Sequence, residues 1–118
     1  MTTEVVENPA KRRYEILIDG TIAGFTQYQQ VDRQTWEFFH TEVDPAFEGQ
    51  GLASQLIEQT LDDLRKRAIA VLPTCPFVRG FLDKHPDYAA MVPTSERQRF
   101  GLAVTPDAGT RGTAGSAE

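Results

Sequence analysis

Val43-Asp44-Pro45-Ala46-Phe47-Glu48-Gly49-Gln50-Gly51-Leu52-Ala53 is the stretch from which the fold can be read. Upstream, Trp36 to Val43 alternates as a strand, and Asp44-Pro45 stops it because proline cannot donate to a ladder. Downstream of Gln50 the period becomes helical. Leu52, Leu56, Ile57, Leu61, Leu64 and Ala68 fall on one side, with Glu58, Asp62, Asp63, Arg65 and Lys66 mostly on the other. Two glycines lie between these elements and let backbone N–H groups approach a ligand with no Cβ in the way. The helix start adds free N–H donors and the positive end of its dipole, a combination suited to a pyrophosphate. Small Ala53 keeps that approach uncluttered. The same Gly-x-Gly turn also occurs where a strand merely reverses into a helix. Ser54 stands where the dinucleotide fingerprint needs its third glycine, and the Walker ending is absent, which argues against both of those classes.

Working outward, Tyr14 to Ile18 and Thr21 to Tyr28 read as strands joined by Asp19-Gly20, a strong two-residue hairpin signal. In the third strand, Trp36, Phe38, His40 and Glu42 share one face, and Glu37, Phe39, Thr41 and Val43 the other. Ile69 to Leu72 is a short buried strand, set to pair in parallel with the third through the intervening helix. Phe77 to Lys84 has helical spacing and stops near His85-Pro86. Residues 1–12 are polar and contain Pro9, and read as a flexible arm. Residues 13–102 form the folded body. Residues 103–118, rich in Gly, Ala and Thr, cannot bury enough surface to offset their ordering entropy and read as a disordered tail.

Composition narrows the class. The 118 residues are 40% hydrophobic and carry a net charge of -5, which argues against a general nucleic-acid binder. Lys11-Arg12-Arg13 is the one basic cluster near the front and reads as a solvated lead-in to a strand. No apolar run approaches the ~20 residues of a membrane span. Cys75 is the only cysteine, so neither an intrachain disulfide nor a cysteine-based zinc cluster is expected. With a start that lacks the pattern of a secretory signal, this suits the cytoplasm.

Phe39-His40-Thr41-Glu42-Val43, Gly49-Gln50-Gly51-Leu52-Ala53, Pro73-Thr74-Cys75-Pro76-Phe77-Val78 and His85-Pro86-Asp87-Tyr88 together resemble the GNAT acetyltransferase superfamily. More narrowly they resemble its small single-domain Yjdj-type branch, over about Tyr14 to Val92. The resemblance implies an α+β fold, layered α/β/α, with a mixed, mostly antiparallel twisted sheet and a β-α-β crossover. It implies acetyl-CoA as co-substrate and a primary amine of an unknown small molecule or protein as acceptor. Glu48, Gly49, Gln50, Gly51, Leu52 and Ala53 would wrap the CoA pyrophosphate. Thr41 to Val43 would splay from Ile69 to Leu72 and pair with the pantetheine arm. Two departures stand out. Glu48 replaces the usual Arg or Gln, and Phe81 aligns with a tyrosine that protonates the departing thiolate.

Acetyl transfer needs a base, donors to the carbonyl oxygen and an acid for the thiolate. His40 and Glu42 are the candidate bases, with a structural histidine beneath a helix and a partly solvated strand carboxylate as the alternative readings. Pro76 suits the first helical position, which puts Cys75 at the N-cap, where the helix dipole favours a thiolate. Cys75 could accept the acetyl group in transit, or be a small, unreactive core thiol. Tyr88 could supply the missing acid if the chain folds back. Trp36, Phe38, Phe39 and Phe77 read as packing residues. A non-catalytic acetyl-CoA-binding module is the competing function, and a monomer or weak homodimer the expected state. No metal is called for.

Overall fold

The computed structural model describes residues 2–102, and the expected tail at 103–118 lies outside the described residues. The strands are β1 (Thr3–Asn8), β2 (Arg13–Ile18), β3 (Thr21–Asp32), β4 (Thr35–Val43) and β5 (Ala70–Pro73). They form one sheet in sequence order. All neighbours run antiparallel except β4 and β5, which are parallel across helix α1 (Leu52–Lys66). Helices α2 (Pro76–Lys84), α3 (Pro86–Ala89) and α4 (Thr94–Arg97) follow. This is the α+β architecture with a mixed, mostly antiparallel sheet that the sequence led us to expect. Among the described residues no helix is long and apolar enough to cross a membrane.

The first correction concerns residues 1–12. Residues 3–8 are not a loose arm but edge strand β1, paired from Thr3↔Ile18 to Asn8↔Arg13. Thr3, Val5 and Glu7 sit opposite Ile18, Ile16 and Tyr14 of β2, so even a glutamate faces the core side. It is tolerated because the Tyr28 hydroxyl donates to Glu7 at 2.5 Å and Arg67 reaches it at 3.0 Å. The same Arg67 contacts Asp63, which accepts from the Tyr14 hydroxyl. Two tyrosines, two carboxylates and one guanidinium thereby tie β1, β2 and β3 to the end of α1. Asp19 and Gly20 both take left-handed φ, 49° and 83°, as the tight hairpin turn requires.

Helix α1 buries Leu52, Leu56, Ile57, Leu61 and Leu64, as the spacing predicts. It ends earlier than the apolar stripe. Ala68 is exposed and left-handed at φ 56°, the Ala68 N–H reaches the Arg65 carbonyl at 3.1 Å, and the Ile69 N–H reaches Leu64 at 3.0 Å. That is a Schellman cap with alanine where glycine usually sits. Ile69 is taken by this cap, so β5 starts one residue later than expected.

The second correction is in β4. Gln27 pairs with His40 and Tyr28 with Phe38, so Phe39 is an extra residue, a β-bulge. The bulge shifts the alternation by one. Trp36 and Phe38 face the core, but so does Thr41, whose hydroxyl lies 2.9 Å from that of buried Thr26. His40 and Glu42 go to the opposite face with Phe25, whose ring lies 6.0 Å from the imidazole. Phe39, read as packing, is 42% exposed.

Candidate active site

Strand β5 pairs with β4 only from Thr35↔Ala70 to Phe38↔Pro73. The Cys75 N–H donates to the Phe38 carbonyl at 2.8 Å, and there the two strands part. From Phe39 to Val43, β4 is held by β3 alone. Its end is fixed by Asp44 N–H to the Ala23 carbonyl at 2.7 Å and by Gly24, where a Cβ would meet the Glu42 carbonyl oxygen at 2.6 Å. Strand backbone is thus left open along one edge, beside a cleft of about 360 Å³.

Thr41, Glu42, Val43, Glu48, Gly49, Gly51, Leu52 and Ala53 all line that cleft. Of the eight residues expected to hold the cofactor, Thr41, Val43 and Glu48 to Ala53, seven therefore meet in one place, with the eighth, Gln50, exposed in the same turn. Gly49 and Gly51 adopt left-handed φ of 84° and 71°, and nothing lies within 4 Å of a Cβ built on either. Gly51 is the N-cap of α1 and makes no side-chain capping bond. The first intrahelical bond runs from Gln55 N–H to the Gly51 carbonyl, which by helix geometry leaves the N–H groups of Leu52, Ala53 and Ser54 as free donors at the cleft. An anion there meets several N–H groups and the positive end of a helix with no acid in its first turn.

Cys75 is the N-cap of α2 and 4% exposed. Its thiol donates to Thr41 Oγ1 at 3.4 Å, which continues to Thr26. Thr41 thus stands between the thiol and the cleft it lines. His40 Nε2 lies 2.6 Å from Glu42 Oε2, and both side chains are exposed. The alternative reading of His40, a histidine under a helix, does not describe it. The imidazole and carboxylate form a solvent-facing couple on the face of β4 opposite the thiol.

Tyr88 is not brought to the cleft. Its hydroxyl donates to Asp62 on α1 at 2.7 Å, and Arg65 lies 4.4 Å over its ring. That hydrogen bond, with burial second, holds the phenol up to about 12. Phe81 is buried and stacked on His85 at 4.2 Å. Phe77, read as packing, is 41% exposed and walls the cleft, and Phe47 and Ser54 line it too. Sequence reasoning missed Thr26 altogether, since a threonine within a strand carries no local signal. Among the described residues no three His, Cys, Asp or Glu side chains gather as a metal cage.

Comparison with known proteins meets this geometry. The family model for GCN5-related N-acetyltransferases matches residues 13–91, most of the chain. The chain belongs to the GCN5-related N-acetyltransferase family. This acetyltransferase-family chain is 28% identical over 83 residues to Protein NATD1 of Xenopus tropicalis, covering 69% of this chain and 76% of that protein. It shares its fold with a GCN5-like protein of Staphylococcus aureus solved by NMR, with TM-score 0.59 and 20% identity. That match covers 76% of this chain and 87% of the other. Against the larger Ard1 of Thermoplasma volcanium the chain spans only 43% of the relative, with 21% identity over 52% of this chain and TM-score 0.46.

Proposed function

We propose that the protein transfers an acetyl group from acetyl-CoA to a primary amine. The observation that carries this reading is the open edge of β4 running into the glycine turn and uncapped N-terminus of α1. Residues Glu48 to Ala53 would hold the pyrophosphate by backbone N–H groups, and the edge from Phe39 to Val43 would satisfy the amides of the pantetheine arm. Transfer forms the N–C amide bond and breaks the C–S thioester bond. The proton of the attacking amine passes to the His40–Glu42 couple, and the thiolate leaves to be protonated by water. Bound to each other at 2.6 Å, the imidazole and carboxylate form an oriented base of the kind general-base catalysis needs.

In an alternative route, Cys75 would take the acetyl group before the amine does. Its thiol proton would go to the departing CoA sulfur. The amine would then attack the acetyl-Cys75 thioester, forming the amide as the C–S bond breaks, and the amine proton would return to the Cys75 thiolate. Acetyl-CoA followed by intact-mass analysis of the denatured protein tests this step. An acetyl adduct that persists in Cys75→Ala rules it out. The transfer itself is tested by steady CoA release in the presence of amines.

A second reading is favoured by Phe81 and Tyr88, because neither offers the cleft a proton. On that reading the protein is a non-catalytic acetyl-CoA-binding module, and it predicts tight binding with no turnover.

A further inference from the structure

Of the basic cluster Lys11-Arg12-Arg13, only the third member is consumed inside the fold. Arg13 pairs with Glu15 at 2.8 Å and lies 4.4 Å over the Phe25 ring. Lys11 and Arg12 are exposed, and among the described residues neither forms an ion pair with a carboxylate. The turn presenting them is firmly built. Asn8 accepts from the Lys11 N–H at 3.3 Å, the Arg12 N–H reaches the Pro9 carbonyl at 3.1 Å, and the Arg12 carbonyl accepts from Tyr28 N–H at 3.0 Å. Arg12 holds a left-handed φ of 53°, a conformation glycine would adopt more easily.

These two cations line a groove of about 320 Å³ with Gln27, Gln29 and Phe39. Phe39 is the exposed bulge residue and the covalent neighbour of His40, and Gln27 is the partner of His40 across the ladder. The groove therefore opens beside the His40–Glu42 couple. Arg12 adjoins β2, two strands from β4, which puts its backbone on the order of 10 Å from that of His40. The carboxylates nearby are engaged. Glu15 pairs with Arg13, Glu42 with His40, and Glu37 accepts from Gln29 at 2.6 Å and Thr74 at 2.5 Å.

We infer, resting on the acetyltransferase reading above, that this groove is the acceptor subsite and that the acceptor is a primary amine carrying an anionic group. Lys11 and Arg12 hold the anion, Phe39 covers the apolar stem, and the amine reaches His40–Glu42. In a chain of net charge -5, these unpaired cations are what would draw such a molecule to this face.

The test begins with thermal unfolding in acetyl-CoA. No stabilisation removes the acetyl-CoA reading, and this inference with it. Where acetyl-CoA does stabilise, CoA release is measured with γ-aminobutyrate, its methyl ester, putrescine and phosphoethanolamine. We expect kcat/KM for an anionic amine to exceed that for both the ester and putrescine by about tenfold. Lys11→Gln combined with Arg12→Gln should bring that ratio near one. Resonances of Gln27, Phe39 and His40 that an anionic amine shifts, and that the double variant leaves unmoved, support the subsite even without turnover. Equal or better use of the ester or putrescine overturns it, as does a ratio untouched by the double variant. Absence of both turnover and resonance shifts overturns it too, while the cofactor reading stands.

Discussion

The Cys75 thiol and Thr41 hydroxyl meet at 3.4 Å because of one residue, Phe39. Without the bulge, strict alternation would turn Thr41 away from the core and bring His40 and Glu42 toward the thiol. With it, the thiol and the base couple lie on opposite faces of β4. Each can be tested alone. Glu42→Gln should lower kcat with an amine by on the order of a hundredfold while leaving acetyl-CoA binding intact, as a calorimetric titration would show. Tyr88→Phe should cost about 1 kcal/mol of stability in a denaturant titration, from the lost bond to Asp62. It should leave CoA release within about twofold, and a much larger loss would return the phenol to the chemistry. The residue types at this site were legible in sequence, but their facing was not. A bulge depends on the partner strand, and nothing local to Phe38-Phe39-His40 announces it.

At the scale of elements, the glycine turn and the α1 cap make separate predictions. Gly51→Ala meets no atom within 4 Å, so its penalty is the left-handed φ of 71°, about 1 kcal/mol. Acetyl-CoA affinity should fall by about tenfold through displaced N–H donors, measured by calorimetry. Ala68→Gly should do the reverse for stability. Placing glycine at the left-handed C′ position of the Schellman cap should add about 1 kcal/mol, seen as a Tm several degrees higher. Alpha-helix α1 was legible because its spacing is local and its stripe strong. Strand β1 was not, because it gains its place from pairing with β2 and from Glu7 meeting Tyr28 and Arg67, residues distant in sequence.

For the molecule as a whole, binding of acetyl-CoA to the native state alone predicts about 2.7 kcal/mol of stabilisation at a hundredfold excess over Kd. For a domain of this size that is a rise in Tm on the order of 10 °C, readable by calorimetric scanning. Alkaline stability follows from the tyrosines. Burial first, then hydrogen bonds to Asp63 and Glu7, hold Tyr14 and Tyr28 above the ordinary phenol range, and Asp62 holds Tyr88 up to about 12. The unfolded chain releases these protons near pH 10 while the native protein keeps them. The stability they contribute is therefore present below about pH 10 and is lost as pH rises toward 12 and beyond. Tyrosinate absorbance should appear together with the loss of circular dichroism. Ionisation of Tyr14 and Tyr28 well before unfolding would contradict their place in the network.

What the sequence determined by itself is whatever short-range periodicity and backbone chemistry control. The Asp19-Gly20 hairpin, the strand-glycine turn-helix passage from Val43 to Ala53, the stripe of α1 and Cys75 as the cap before Pro76 all depend on residues within a few positions of one another. Tertiary structure alone decided which groups meet across the sheet. It set the bulge at Phe39, the recruitment of β1, the capture of Tyr88 by Asp62 and the exposure of Phe39 and Phe77. Each of these rests on contacts between distant segments, whose register is fixed only when the sheet and α1 close on a common core.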